Sequence, residues 1–277
     1  MTTQENIDVH VNDHKLRSQF IQRLVQDKNS NLMETPFKII PRVLIQFWDN
    51  SEKIPSDVKE CIDSWSYLDE HGFKRLCFDD FSAECFIRTE FDDNHLQAYN
   101  MCHHPAMRCD YFRLCYLYKY GGFYLDADEN YLGADIEPLL VGAKLRLNPL
   151  CYNMLNDEMV TSRCFLDNQE SSEHWIFYVN NNPIIAPSGH PLLNLALSRA
   201  TKILLESKNP IADIQSTTGP GNLSASLVQY AMMLDHENKQ YDFEIIDNWD
   251  KISNSPWPLS YRNDQRNWRL WNPNKPD

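Results

Sequence analysis

The 277-residue sequence has no Cys-x-x-Cys pair, no run approaching 18 apolar residues, and no basic stretch leading into an apolar one at its start. The first absence argues against a thiol-redox site or a zinc ribbon. The second leaves no candidate transmembrane helix, and the third no signal peptide. Positive charge is scarce: 26 Lys and Arg stand against 39 Asp and Glu, a formal net charge of −13. That balance opposes non-specific binding to nucleic acid or to an anionic membrane. A Gly-x-x-x-x-Gly-Lys-[Ser/Thr] loop is also missing, which removes the usual phosphate cradle of P-loop enzymes. The eight cysteines, at 61, 77, 85, 102, 109, 115, 151 and 164, mostly fall within apolar patterns. They are expected as buried free thiols in a reducing compartment, so the chain is expected to be cytoplasmic. A secretory-pathway protein without its anchor is the alternative.

Apolar residues make up 42% of the chain and aromatics 12%, enough for a sizeable core. The pattern predicts an α/β protein: a helical extension over 1–36, then one domain over 37–277. Leu16, Phe20, Ile21, Leu24 and Val25 keep helical spacing within the extension. The centre of the domain is Cys102–Glu129. Pro105 suits a first helical turn. Met107, Tyr111, Leu114, Cys115 and Tyr118 recur as one apolar stripe, and Gly121-Gly122 ends the helix. Phe123-Tyr124-Leu125 reads as a short buried strand, and Asp126 and Asp128 follow at its C-terminal end, where open α/β sheets place ligands.

On an extended backbone, residues i and i+2 point the same way, so Asp126 and Asp128 are expected to face one divalent cation. Hard carboxylate oxygens suit Mn²⁺ or Mg²⁺. An isolated Asp-x-Asp is as well explained by a solvated turn, and Asp110 with Arg113 by a surface ion pair one helical turn apart.

Taken together, Asp110-x-x-Arg113, Gly121-Gly122, Tyr124-Leu125-Asp126 and Asp128 resemble the signature of the DXD-containing sugar transferases. These include fungal initiating mannosyltransferases, bacterial capsular and surface-glycan transferases, and the catalytic core of glucosylating toxins. The resemblance implies a GT-A-type, Rossmann-like nucleotide-sugar domain with a mixed central sheet flanked by helices. It implies a metal-dependent retaining hexosyltransferase that takes a nucleotide-sugar, UDP-linked by preference, to a glycan, a lipid-linked sugar or a protein, with peripheral membrane contact left open. Asp110, Arg113, Asp126 and Asp128 would be the catalytic set. Asp110 and Arg113 would hold the transferring sugar, and Tyr124 would line the nucleotide pocket.

Ile39–Trp48 resembles the family's opening strand and would bring Gln46 and Trp48 beside the nucleotide. Ile45 stands where the family typically has histidine. Asn182, ahead of an apolar run and a Gly189-His190-Pro191 turn, would reach the donor sugar or the metal shell. The family often ends with a histidine upstream of a Ser-Trp pair, and that histidine completes the metal site. The tail over 245–277 holds four of the seven tryptophans but offers only partial matches, Ser255-Pro-Trp257 and Asn263–Trp268, neither with a histidine. Asn263, or Asp264 beside it, is the candidate third ligand, and Trp257 and Trp268 are candidate donor contacts. Residues 141–175, rich in Asn, Asp and Pro turn signals, are the expected acceptor-side segment. His103 and His104, which face different directions, are read as a helix entry. Two other classes compete with the transferase: a non-catalytic sugar- or nucleotide-sugar-binding protein, and a metal-dependent nucleotidyl or phosphoryl transferase.

Overall fold

The computed structural model describes residues 2–27, 37, 39–167, 170–207, 213–256 and 258–271. The strands are β1 (Val43–Phe47), β2 (Lys74–Phe78), β3 (Gly122–Tyr124), β4 (Asn130–Tyr131), β5 (Leu145–Asn153), β6 (Glu158–Val160), β7 (Trp175–Ala186), β8 (Phe243–Ile245) and β9 (Ser253–Asn254). The helices are α1 (Thr3–Asn12), α2 (His14–Gln26), α3 (Ser56–Ser64), α4 (Asp80–Glu90), α5 (Asp93–Asn100), α6 (Pro105–Tyr120), α7 (Pro191–Glu206), α8 (Ile214–Thr217), α9 (Pro220–His236) and α10 (Trp249–Ile252). The central sheet runs β2-β1-β3-β7-β5-β6, with β8 added on β5. It is mixed: β1 is parallel to β2 and β3, while β7 is antiparallel to β3 and β5. The fold is therefore the expected α/β arrangement of a mixed central sheet flanked by helices.

Pleating divides the core cleanly. Ile45, Tyr124 and Ile184 lie in register across β1, β3 and β7 and face the larger cluster under α4, α6, α7 and α9. Their neighbours Leu44, Phe123 and Ile185 face the other side, against Trp65, Leu68, Ile136, Leu139, Trp249 and Ile252. Both faces of these strands are covered, which explains their continuous apolar reading.

Helix α6 begins on a histidine cap: the Ala106 backbone N–H donates to His104 Nδ1 at 3.0 Å. His104 Nε2 lies 3.1 Å from the Gln265 carbonyl and donates to it. The single stripe expected of α6 is not what forms. Met107 and every residue from Asp110 to Leu117 are buried, so the helix is enclosed on all sides. Gly121 and Gly122 then turn the chain with φ of +69° and +116°. A Cβ on Gly122 would stand 2.7 Å from the Val43 carbonyl oxygen, and one on Gly121 2.6 Å from the Ser188 nitrogen.

Three expectations change. The N-terminal segment holds two helices, not one. Phe20, Ile21 and Val25 of α2 join the main core, and Ile7 and Val11 of α1 pack on Ala225 of α9. Much of the supposed irregular stretch is strand: β5 runs through Asn148-Pro149, with a register shift between Leu147 and Pro149 where proline cannot donate to the ladder. β7 continues through Asn182-Pro183, a cis peptide, so Asn182 lies inside a strand and not at its end. All eight cysteines are free, with Cys77 and Cys85 exposed. Among the described residues no helix is long and apolar enough to cross a membrane.

Gly122→Ala is expected to cost several kcal/mol, because a backbone clash adds to an unfavourable φ. Gly142→Ala, with φ +75° and open space around it, should cost about 1 kcal/mol. Denaturant melts of both variants check this; equal losses would contradict it.

Candidate functional site

The C-terminal ends of the three parallel strands lie at one edge of the sheet and lead into Trp48, Asp79 and Asp126. The acidic pair occupies a turn, not an extended strand: the Glu129 N–H donates to the Asp126 carbonyl at 3.2 Å. Turn geometry, and not strand alternation, is what brings Asp126 and Asp128 close enough for each charge to act on the other.

Beneath the turn lies a buried ionic network. The side chains of Asp110 and Arg113 are 8% and 4% exposed, so the surface ion-pair reading fails. Arg113 Nη2 lies 3.0 Å from both Asp110 Oδ1 and Asp126 Oδ1. Arg113 Nη1 donates to the Asn181 carbonyl, and the guanidinium covers the Tyr124 ring at 4.1 Å. Asp110 also accepts from Asn181 Nδ2 at 2.7 Å and from Thr218 Oγ1 at 3.3 Å. Burial pushes the Asp110 carboxyl up to about 7 despite the Arg113 charge. Burial likewise raises Asp126, with Arg113 pulling it down and Asp128 pushing it up.

A second set of bonds braces the turn. Asn182 Oδ1 accepts from the Asp126 N–H at 2.9 Å, and its Nδ2 donates to Glu129 Oε1 at 3.0 Å. Ser253 Oγ donates to Glu129 Oε2, and Trp65 Nε1 donates to the Glu129 carbonyl at 2.8 Å. Burial pushes the Glu129 carboxyl up to about 7. Gln46 Nε2 reaches the Asp126 carbonyl at 3.4 Å.

The tail closes over the other side. Tyr261 OH donates to Asp128 Oδ2 at 2.7 Å, and Arg262 Nη2 pairs with the same oxygen at 2.5 Å. Tyr261 also meets the Trp48 ring edge-on at 5.2 Å, and Arg266 lies 5.9 Å from that ring. Trp271 stacks on His103 at 4.7 Å, tying the tail to the entry of α6.

The structure thus gathers Gln46, Asp110, Arg113, Tyr124, Asp126, Asp128 and Asn182 around one turn, but several face inward. Tyr124 is fully buried, its hydroxyl 2.7 Å from Cys109 Sγ and 3.3 Å from Asp126 Oδ1, so it does not line an open pocket. The Asp110 and Arg113 side chains are 8% and 4% exposed and bonded to buried partners. The Asn182 amide is spent at both ends on the turn. Asn263 is exposed at the end of the 260–263 turn, and its two predecessors reach Asp128 instead. Trp268 lies under the Arg269 guanidinium at 4.3 Å. Trp257 lies outside the described residues. Sequence reasoning missed Tyr261 and Arg262, which no motif marks. It also gave no role to Glu129, although that residue adjoins the pair.

Asp126 and Asp128 are the residues of this turn that would hold a divalent cation. The bonds to Arg113 and Tyr124 fall on Asp126 Oδ1, and those to Tyr261 and Arg262 on Asp128 Oδ2. No group of three or more His, Cys, Asp or Glu suited to a metal occurs among the described residues. Two carboxylates with the remaining positions left to phosphate and water is a usual Mg²⁺ arrangement.

The raised Asp110 carboxyl has a consequence for stability. Below about 4 both folded and unfolded chains hold the proton; between there and about 7 only the folded chain does. Its stabilising share is therefore lost as pH rises through that window. Asp110→Asn should flatten the fall in melting temperature between pH 5 and 8. An unchanged slope would contradict the buried assignment.

Residues 29–139 match the family described as the glycosyltransferase sugar-binding region containing the DXD motif. An uncharacterised glycosyltransferase of Acanthamoeba polyphaga mimivirus is 29% identical over 91 residues, 32% of this chain and 36% of the relative. The match thus spans about a third of that relative's length. The solved PaToxG glycosyltransferase superposes with a TM-score of 0.48 and 14% identity, over 85% of this chain and 82% of that one. The 29–139 segment, which carries Asp110, Arg113, Asp126 and Asp128, is thus similar to the sugar-binding region of the DXD-containing glycosyltransferases.

Proposed function

We propose that the protein is a metal-dependent retaining glycosyltransferase that moves a hexose from a nucleotide-sugar, UDP-linked by preference, to a glycan, lipid-linked or protein acceptor. The observation that carries this reading is the Asp126–Glu129 turn. It presents two carboxylates at the C-terminal edge of the parallel strands, braced from below by a buried ion network and from the side by Asn182.

Asp126 and Asp128 would hold Mn²⁺ or Mg²⁺, which supplies charge neutralisation for the departing nucleoside diphosphate when bound. The chain's own residues do the positioning. Arg113 fixes Asp126 Oδ1, and Asn182 fixes the Asp126 backbone, so the carboxylate meets its ligand without reorganising. Asp110 and Arg113 act through Asp126 and not on the sugar directly. Trp48 lies in the angle between this turn and the tail, and its buried indole N–H has no partner among the described residues. That unpaired donor is the feature by which Trp48 would meet a polar atom of the nucleotide. Retention places acceptor attack on the face the diphosphate leaves. A donor phosphate oxygen can take the proton there, so no protein nucleophile is required.

Release of nucleoside diphosphate from a panel of nucleotide-sugars tests the reading. With Mn²⁺, slow release from one donor is expected even without acceptor, and Asp128→Asn should lower it at least a hundredfold in a folded protein. Binding of a sugar without any release would favour the non-catalytic alternative, and release indifferent to Asp128 would contradict the proposal.

A further inference from the structure

The site contains a cation that sequence patterns did not mark. We infer that Arg262 is a donor-binding residue, its guanidinium gripping the diphosphate of the nucleotide-sugar at the mouth of the acidic turn. The inference rests on the glycosyltransferase reading above.

The charge around the turn motivates it. Asp126 and Asp128 sit side by side at the turn in a chain whose net charge is −13. A multiply negative diphosphate is repelled unless positive charge meets it there. Arg113 cannot serve: its side chain is 4% exposed and locked between Asp110 and Asp126. Arg262 stands on the other side of Asp128, 2.5 Å from Oδ2, with its side chain 19% exposed. Its Nη2 also reaches Ser255 Oγ at 2.8 Å, and the Tyr261 hydroxyl on the same Asp128 oxygen sets the position of the 260–263 turn. The guanidinium therefore stands directly beside one of the two turn carboxylates.

Arginine suits the task. A guanidinium is a planar fork of N–H donors, so it can bridge a carboxylate and a phosphate oxygen at once. It keeps its charge where a histidine would lose it near neutral pH. Arg266 is a weaker candidate: its guanidinium is chelated by Asp264, which is itself exposed. The competing explanation is that Arg262 merely latches the tail to Asp128.

Calorimetric titration of UDP and of GDP into the full chain separates these, with Mn²⁺ and again in EDTA. Arg262→Gln should weaken binding of the preferred nucleotide at least tenfold in Mn²⁺, as expected for loss of charged hydrogen bonds. The residual binding seen in EDTA should fall below detection. A variant that melts at lower temperature yet binds within twofold of wild type would overturn the inference and leave Arg262 as a latch. Should Arg262→Gln fail to fold, Arg262→Lys carries the test: a fivefold or greater loss supports phosphate recognition by the fork, and parity with wild type overturns it. A wild-type chain that binds neither nucleotide in Mn²⁺ would instead sink the donor reading itself.

Discussion

A single guanidinium inside the protein, that of Arg113, holds two carboxylates and a backbone carbonyl in fixed relation. Taking these charges out of water is costly, and only the completeness of the pairing offsets it. Asp110, Asn181 and Thr218 satisfy one side, and Asp126 and Tyr124 the other. Helix α6, strand β7 and the acidic turn are thereby linked through one point. Removing Arg113 would leave Asp110 and Asp126 without their shared cation, so the network ties the turn to the buried interior.

Around that point the structure is layered by solvent access. Lowest lies the ion network. Above it Asn182 and Glu129 brace the turn from the strand side, with Ser253 drawing in the chain after α10. Outermost come Asp126 and Asp128, with Tyr261 and Arg262 bonded to Asp128 Oδ2. In the proposed reading the buried parts set geometry and the outer parts would meet ligand, which is the division a preorganised electrostatic site requires.

Much of this was legible in the sequence. Pro105 and the Gly121-Gly122 pair bounded α6, and the apolar strands β1 and β3 led to the carboxylates, because caps, glycines and buried strands leave local marks. The identity of the acidic pair was readable, but the reason it converges was not: a turn hydrogen bond did what strand alternation was expected to do. The inward orientation of Asp110, Arg113, Tyr124 and Asn182 also escaped, since a motif records residue type and not the direction a side chain faces. β5 was hidden because Asn148-Pro149 and Asn153, ordinary loop signals, sit at a register shift and a strand end. Tyr261 and Arg262 reach Asp128 across more than 130 positions, and no spacing rule spans such a distance. The resemblance called for a histidine here, and Asn263 or Asp264 was the nearest substitute it suggested; the structure presents Arg262 instead.

The central claim is that the Asp126–Glu129 turn, held by this frame, grips a divalent cation in company with a diphosphate. Electron paramagnetic resonance of Mn²⁺ titrated into the protein with UDP or GDP present tests it directly. One tightly held Mn²⁺ per chain is expected in wild type, lost in Asp128→Asn while the fold persists by circular dichroism. Mn²⁺ bound equally well by the two proteins, or by neither, would contradict the account.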